Sequence, residues 1–427
     1  MEALVNNREF PPRQAEGHVA DAQKLAFLVH EPTLWAHYSN VWAKLDPDSF
    51  AIVLTNRFRP PQGRRPDLGV GEFLARVQAA GYETAWADET IRNGIRYSHV
   101  VSNHKMRGDS AQPAPARVQA TYALDHAIKH GINRICTALG RPERFGFHGF
   151  APKQYWPLQI GDVQIRFMYG ADVGEGWSLA PWNAIYHAFL CHGPNDAQQL
   201  AKRFRGRTFQ MGYPRYDGYY APDLDTSAEA REFSIDPSRR TLLWMPTFGK
   251  GACSIPHFAQ ALAPLRAGHN FIVRPHPLSF RKSPDEIALL RSLGFRLDDQ
   301  PARDMNKLLK LADVMLCDYG GSAFGAVYLR KRMVLLEVPG ARDWYTVRNA
   351  SNLELTGHYP VIGPERAGEL GALLEDEPYW QAQQARAAPL ADKYFADFRG
   401  TSADEAARIL SNIRTLLAHP ERGEISA

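Results

Sequence analysis

The chain is poor in features that mark several classes of protein. Its 427 residues include only four cysteines, and no two of them form a Cys-x-x-Cys pair or a zinc-binding pattern. No run of about 18 apolar residues is present, so a membrane-spanning helix is not expected. Lysine and arginine are not gathered into a stripe with interleaved aromatic residues, which argues against a nucleic-acid-binding protein. These absences indicate a globular protein with free, buried thiols.

What the chain does contain is enough apolar sequence for at least two domains. Hydrophobic residues make up 44% of the chain and charged residues 22%. The net charge is +4, a mild surplus that would suit anionic substrates or peripheral contact with an anionic membrane face. The first residues are polar and lack the apolar core of a signal peptide. We therefore expect a cytoplasmic protein, which could act at the inner face of the membrane.

Short apolar strands alternate with helical segments along most of the chain, a pattern typical of a parallel α/β sheet with helices on both faces. A polar stretch rich in Asp, Pro and Ser separates two such series and is interpreted as a linker. Within the series, the pattern predicts one strand over 184–191 and one C-terminal helix over 402–418. The predicted organisation is a lead-in (1–22), an N-terminal Rossmann-like domain (23–216), the linker (217–240), a C-terminal Rossmann-like domain (241–400) and a helical tail (401–427).

The most informative segment is 311–339, which predicts a strand, a small-residue turn, a helix and a second strand. Gly320 and Gly321 would let the backbone approach a ligand, and Ser322 adds a hydroxyl donor at the helix start. Unpaired N–H groups at such a helix start suit a phosphate. An ordinary capped turn is an equally good interpretation of this segment alone.

Two further predicted strands end in groups that suit an anion. One ends near Thr247 and the other in Arg274 and His276. In a parallel α/β sheet, ligands bind beyond the carboxyl ends of the strands, so these groups and the glycine turn are expected to form one anion site. Two Rossmann-like halves with phosphate-type turns only in the second half predict the GT-B architecture. In GT-B proteins two such domains face a central cleft, with the nucleotide donor bound by the C-terminal domain and the acceptor by the N-terminal domain.

Five ordered segments resemble the CDP-glycerol glycerophosphotransferase family, which builds teichoic-acid-like polymers and related capsules. They are 212–217 (Gly-Tyr-Pro-Arg-Tyr-Asp), 243–248, 274–277 (Arg-Pro-His-Pro), 312–326 and 399–409. The resemblance implies a GT-B fold and a cytidine-type donor, whose phosphates would contact His276, Asp318 and Ser322. It also shows departures. Tyr169 stands where the family has a histidine as candidate base, a glycine (Gly321 or Gly320) replaces a serine of the family's turn, and Gly325 replaces an aspartate.

The predicted catalytic residues are Asp172, as base or nucleophile, and His276, beside the departing nucleotide. Asp172 follows a strand and a glycine, although it could simply cap the next element. His192 is a weaker rival base. Glu31, beside His30 at the end of the first strand, and Trp177 are predicted to bind the acceptor. Four further aromatic residues would flank the cleft or pack in the core: Trp182, Tyr186, Tyr219 and Tyr220.

These features together predict a GT-B glycosyltransferase that uses a cytidine-nucleotide donor in bacterial surface-polysaccharide synthesis. A CMP-sugar such as CMP-Kdo is preferred, because a carboxylate at position 172 suits glycosyl transfer. CDP-glycerol is the alternative donor. A sugar-nucleotide epimerase and an inactive GT-B binding module are further alternatives. The acceptor would be a saccharide, free or lipid-linked. We expect no cofactor and no metal, because Asp46-Pro47-Asp48 and Asp223-Leu224-Asp225 are interpreted as turns and caps.

Overall fold

The computed structural model of the chain describes residues 24–59, 69–104, 115–141, 144, 155–170, 179–249, 251–300, 303–343 and 352–419. Two parallel sheets organise these residues, and each strand pairing is parallel. The predicted fold class, α/β with two Rossmann-like halves, is confirmed.

The first half forms a seven-stranded sheet within the described ranges, in the order β3-β2-β1-β4-β5-β6-β7. Its central strands are buried along their whole length, as expected for strands covered on both faces. The strands are β1 (Leu25–Val29), β2 (Phe50–Leu54), β3 (Thr84–Trp86), β4 (Tyr97–Ser102), β5 (Gly161–Phe167), β6 (Ala188–Cys191) and β7 (Arg207–Gln210). The helices are α1 (Trp35–Trp42), α2 (Val70–Ala79), α3 (Ala87–Arg92), α4 (Ala116–Ala138), α5 (Trp156–Ile160) and α6 (Pro194–Arg203).

The second half forms a sheet in the order β10-β9-β8-β11-β12-β13, six strands in the part of the chain that the structure describes. These are β8 (Thr241–Met245), β9 (Asn270–Val273), β10 (Arg296–Leu297), β11 (Val314–Cys317), β12 (Arg332–Leu336) and β13 (Val361–Ile362). Its helices are α7 (Ser227–Glu232), α8 (Ile255–Leu262), α9 (Ser279–Lys282), α10 (Pro284–Ser292), α11 (Met305–Leu311), α12 (Gly321–Tyr328), α13 (Asn352–Leu355), α14 (Leu370–Glu375) and α15 (Glu377–Tyr394).

The last two helices, α16 (Ser402–Ser411) and α17 (Ile413–Ala418), follow the second sheet in sequence but pack in the first core. Ala406, Ile409 and Ile413 are buried there with residues of β1 and α1. The chain therefore crosses between the halves twice, once after β7 and once before α16.

Three element predictions were wrong in part. The predicted strand over 184–191 is a short 3-10 helix, Pro181–Ile185, followed by the shorter strand β6. The single predicted C-terminal helix is two helices that meet at Asn412, whose side chain donates to the carbonyl of Arg408. The expected linker, 217–240, includes the end of the 3-10 helix Pro214–Tyr220 and all of α7. This polar stretch therefore contains ordered structure.

Candidate functional site

The carboxyl ends of β8, β9 and β11 lie side by side, as the parallel register requires. Met245 of β8 is paired with Cys317 of β11, and Trp244 with Val273 of β9. Thr247, Arg274 and Asp318 therefore follow neighbouring strand ends. The structure brings together the groups that the sequence assigned to one anion site.

Asp318 is the buried link of this site, with 1% of its surface exposed. Its carboxylate accepts hydrogen bonds from the Thr247 N–H at 2.9 and 3.0 Å, and from the N–H and hydroxyl of Ser254 at 3.0 and 2.9 Å. Burial raises the pKa of Asp318 to about 7, against these hydrogen bonds. Since both oxygens face protein donors, Asp318 fixes the loop after β8 and the start of α8.

The turn after β11 leaves the start of α12 open. Gly320 is the N-cap of this helix, and no side chain caps it. A Cβ at Gly320 would lie 2.9 Å from Oγ1 of Thr247, whereas a Cβ at Gly321 would meet nothing within 4 Å. The Ser322 hydroxyl makes a long hydrogen bond, 3.4 Å, to the carbonyl of Met245. The helix start therefore presents backbone donors at a position where an anion could approach.

Arg274 is held by an acidic neighbour rather than left free. Its guanidinium donates to Asp298, which also accepts from Nε of Arg303 at 2.9 Å. Burial lowers the pKa of Arg274, the charge of Asp298 opposes this, and the charge of Arg215 adds to it. The pairing leaves Arg274 with reduced net charge toward a ligand.

Arg215 is the functional candidate that the sequence argument missed, although it lies in the Gly-Tyr-Pro-Arg-Tyr-Asp segment. No carboxylate lies within salt-bridge distance of it among the described residues, and its Nε is buried without a hydrogen-bond partner there. Its Nη1 donates to Nε2 of His37 at 3.4 Å. The segment itself could have pointed to Arg215. The residue that Arg215 contacts, His37, lies 178 positions away on α1, so the sequence pattern did not connect the two.

His276 lies at the opening of the same site. Its Nδ1 accepts a hydrogen bond from the N–H of Leu278 at 3.2 Å, so the neutral ring carries its proton on Nε2. Although the residue is solvent-exposed, surrounding protein partly desolvates the ring and lowers its pKa, and the charge of Arg215 lowers it further. His276 is therefore a neutral donor at neutral pH, near the unpaired cation Arg215.

The first half contributes a histidine pair at the end of β1. Nε2 of His30 lies 2.6 Å from Nε2 of His104 and 3.7 Å from Oε1 of Glu31. Burial, His104 and Arg57 all lower the pKa of His30. Glu31 is half-buried beside this pair, so its predicted acceptor-binding role remains a prediction. Asp172 and Trp177 lie outside the described residues.

Other predicted residues are placed away from a ligand. His192 is completely buried, with Nδ1 2.8 Å from Asp196 and its ring against Tyr213, so it is a core histidine and cannot meet a substrate. Trp182 and Tyr186 are core residues too. Tyr219 and Tyr220 were expected at the cleft. Instead, Tyr219 packs against Lys331 and Tyr220 against Tyr328, at the end of the second sheet where the strands begin.

Tyr169, in place of the family histidine, lies 5.6 Å from the ring of His37, and its carbonyl accepts from the hydroxyl of Tyr213 at 3.1 Å. The departure at Gly325 has a structural counterpart in Tyr216. The hydroxyl of Tyr216 occupies the space where a side chain at Gly325 would begin. The glycine thus makes room for the tyrosine.

Each Asp-x-Asp segment contains a local cap: Asp46 accepts from the N–H of Asp48, and Asp225 from that of Ser227. In the described part of the chain, no group of three His, Cys, Asp or Glu side chains is placed to hold a metal ion. The helices described there include none with the length and apolarity to span a bilayer.

Comparisons with known proteins agree with this geometry. Residues 194–341 match the model of the family CDP-Glycerol:Poly(glycerophosphate) glycerophosphotransferase. A structure of the wall teichoic acid polymerase TagF is similar at 12% identity and a TM-score of 0.58, over 94% of this chain and 91% of that one. No curated protein sequence matches the chain.

Two further similar structures are described as epimerase or UDP complexes. S. aureus MnaA with UDP has 12% identity and a TM-score of 0.53, over 93% of this chain and 98% of that one. UDP-GlcNAc 2-epimerase from Neisseria meningitidis has 12% identity and a TM-score of 0.52, over 93% and 100%. At this identity the structures show the fold alone. With the family match across residues 194–341, they identify the chain as a transferase of GT-B fold that resembles the CDP-glycerol glycerophosphotransferases.

Proposed function

We propose that the protein transfers glycerophosphate from CDP-glycerol to a hydroxyl group of a growing polymer. The observation that carries the proposal is the location of the family match. Residues 194–341 include Arg215, Thr247, Arg274, His276 and the turn before α12, which are the groups gathered at one end of the second sheet.

The proposed chemistry is substitution at the phosphorus atom that bears glycerol. The acceptor oxygen forms a bond to this phosphorus, the bond to the bridging oxygen breaks, and CMP leaves with that oxygen. Positive charge at Arg215, the proton on Nε2 of His276 and the N–H groups at the start of α12 would offset the charge that develops on CMP. The acceptor proton passes to a base, for which Asp172 remains the prediction.

The preference for a CMP-sugar such as CMP-Kdo receives no support from the comparisons, and the alternative donor, CDP-glycerol, fits them better. The argument for a sugar donor depended on Asp172 as a substitute for the family histidine. His37 lies near Tyr169, with the two ring centres 5.6 Å apart, so an imidazole group is present close to the position of the family base. The absence of a histidine at 169 is therefore weak evidence for glycosyl transfer.

The test is a donor competition assay with a glycerol phosphate primer, either free or lipid-linked. CDP-glycerol should release CMP and lengthen the primer by glycerophosphate units detected by mass spectrometry, whereas CMP-Kdo and UDP-GlcNAc should not. His276→Ala and Arg215→Gln should each lower the rate about a hundredfold. Arg291→Gln, at an exposed position away from the site, is the matched control. CMP release from CMP-Kdo with no reaction of CDP-glycerol would overturn the proposal.

The acceptor class and the cellular location are part of the same proposal. A lipid-linked primer would place the enzyme at the inner face of the membrane. Comparing free and lipid-linked primers in the same assay tests this point. Faster elongation of the lipid-linked primer in the presence of anionic vesicles would support peripheral membrane contact.

A further inference from the structure

Two adjoining cavities lie at the end of the second sheet opposite the candidate donor site, where the strands begin. The larger, about 590 Å³, is lined by residues that precede β8, β11 and β12, including Arg240, Asp313 and Lys331. The smaller, about 260 Å³, lies between the end of α12 and helix α15. Arg330, Lys331 and Gln384 line both cavities, so the two adjoin at these side chains.

The smaller cavity contains a buried amide with no partner. Gln383 on α15 has none of its surface exposed, and neither its Oε1 nor its Nε2 has a hydrogen-bond partner among the described residues. Val327 and Ala387 provide apolar walls nearby, with Tyr359 beside them. Burying an amide without partners is unfavourable, so a ligand that both donates and accepts hydrogen bonds would recover this loss.

The larger cavity carries a surplus of positive charge. Five basic side chains line it against two acidic ones. Both carboxylate oxygens of Glu377 accept hydrogen bonds from the guanidinium of Arg332. Asp313 accepts from the N–H of Thr241 at 2.7 Å. Arg330 has only an exposed partner, Asp392, at 3.5 Å, a kind of pair that contributes little. The two acidic residues are thus occupied, but three of the basic ones have carboxylate partners as well: Arg239 with Asp236, Arg240 with Glu375, and Arg332 with Glu377. The positive charge available to a ligand is therefore that of Lys331 and the weakly paired Arg330.

Two lysines lie beside Tyr219, which lines the larger cavity, and one of them, Lys331, lines both cavities. The ammonium groups of Lys331 and Lys310 each lie 5.0 Å from the ring centre of Tyr219. Lys331 donates to the carbonyl of Ala312 at 2.6 Å, but it has no carboxylate within salt-bridge distance in the described ranges. The pKa of Lys331 is lowered to about 8, mainly by burial; the charge of Asp313 opposes this shift and the charge of Lys310 adds to it. An anion would relieve this concentration of like charge.

We infer that the two cavities form a binding site for a small phosphate ester, with its phosphate at Lys331 and Arg330 and its uncharged head at Gln383. The head must both donate and accept hydrogen bonds, as a polyol or a nucleobase does. This inference does not depend on the donor or the reaction proposed above, because it uses none of the same residues.

The position of the site also gives it a path to the donor end of the sheet. Helix α12 begins at Gly321 in the donor turn and ends beside the smaller cavity, where Val327 lines the wall. A ligand at Arg330 and Lys331 would therefore contact the end of the helix whose start is open to the donor phosphate. Binding at one end can change affinity at the other only if the helix responds to both ligands.

The test measures binding of three probes to the full-length protein by calorimetry: glycerol 3-phosphate, CMP and inorganic phosphate, each up to millimolar concentration. Lys331→Gln and Gln383→Leu should each weaken the preferred ester about tenfold, because each removes a buried hydrogen-bonding group. Lys393→Gln, which removes the same charge from an exposed position on α15, should change the affinity less than about twofold. Hydrogen–deuterium exchange should show protection of residues 327–332 and 383–388.

Each other outcome counts against the site. Equal affinity for inorganic phosphate and both esters would show that Gln383 takes no part. Loss of glycerol 3-phosphate binding in Arg215→Gln would place that ligand in the donor cleft. Absence of protection at 327–332 with all three probes would overturn the inference. Without ligand, Gln383→Leu should unfold at the same or higher urea concentration, whereas a marked loss of stability would make the amide a structural group.

Discussion

Gly320 and Gly321 are neighbours in the turn after β11, but only Gly321 has room for a side chain. We expect Gly320→Ala to lower the free energy of unfolding by about 1–3 kcal/mol, because the new Cβ would press on Thr247. Gly321→Ala should leave stability unchanged or raise it by up to about 1 kcal/mol, as alanine favours the helix. Urea unfolding of the two variants compares these costs directly.

The same pair tests where the donor phosphate lies. If it approaches the start of α12, Gly321→Ala should weaken CDP binding even though the fold is intact. Unchanged CDP affinity in Gly321→Ala would show that the phosphate does not reach this position.

His276 gives donor binding a predictable pH dependence. Its folded pKa is below the ordinary 6.5, so the ring is neutral at neutral pH and gains a proton only as the pH falls. A bound diphosphate favours the protonated ring, so CDP affinity should rise several-fold more in the wild type than in His276→Gln between about pH 7.5 and about pH 5.5. Calorimetry of both proteins at each pH cancels the titration of CDP itself. Identical pH dependence in the two would place His276 away from the phosphate.

At the scale of residues, sequence reasoning found the groups that follow strand ends and missed those defined by distant contacts. Arg274, His276 and Gly320 each stand directly after a recognisable apolar strand, so local pattern sufficed. Arg215 was missed because its role depends on its neighbours in space. It donates to His37, and no carboxylate among the described residues lies within salt-bridge distance of it. Gln383 looks like any polar residue of a helix, and only the packing around it shows that its amide is buried and unpaired.

At the scale of elements, the first and last of the segments that resemble the family, 212–217 and 399–409, form one joint between the halves. Asp217 accepts from the N–H groups of Ser402, at 3.2 Å, and Ala403, at 2.6 Å, and so caps α16. The Ser402 hydroxyl accepts from the N–H of Tyr213 at 3.0 Å and lies 2.9 Å from the hydroxyl of Tyr328. The joint thus links the strand end after β7, helix α12 and helix α16.

Removing the Ser402 hydroxyl should therefore be costly. We expect Ser402→Ala to lower the free energy of unfolding by about 2–3 kcal/mol, since it strands buried donors of two other residues. Ser411→Ala, at the exposed end of the same helix, should change it by less than about 0.5 kcal/mol. Urea midpoints measure both. A loss in Ser402→Ala no greater than in Ser411→Ala would mean that the joint relaxes around the missing oxygen.

Helices and strands were predicted correctly where one hydrophobic period dominated the segment. The predictions were wrong where side-chain hydrogen bonds decided the local structure. The apolar run that ends in β6 is interrupted by a 3-10 helix because Asn183 is buried there, accepting a hydrogen bond from Arg166 and donating to Ala180. The break at Asn412 likewise depends on its own side-chain bond to Arg408. Neither contact changes the alternation of apolar and polar residues that a sequence pattern detects.

At the scale of the whole molecule, the first half holds Arg215 beside the candidate site of the second half, where Arg274 is already paired with Asp298. Helix α1 holds the chain at its first crossing: Nδ2 of Asn40 donates to the carbonyl of Pro214 at 2.8 Å, and His37 accepts from Arg215. Arg215 in turn lies close enough to His276 and Arg274 for its charge to lower the pKa of both. The candidate donor site therefore includes groups held by both halves.

This arrangement predicts that Asn40 acts on the donor without touching it. Asn40→Ala should weaken CDP binding about threefold to tenfold, the worth of one hydrogen bond, and Arg215→Gln by about tenfold or more. If Asn40 works by placing Arg215, the double variant should bind no more weakly than Arg215→Gln alone, and calorimetry of the four proteins closes this cycle. Additive losses would instead show that Asn40 and Arg215 contribute separately, so that α1 would serve the fold and not the donor.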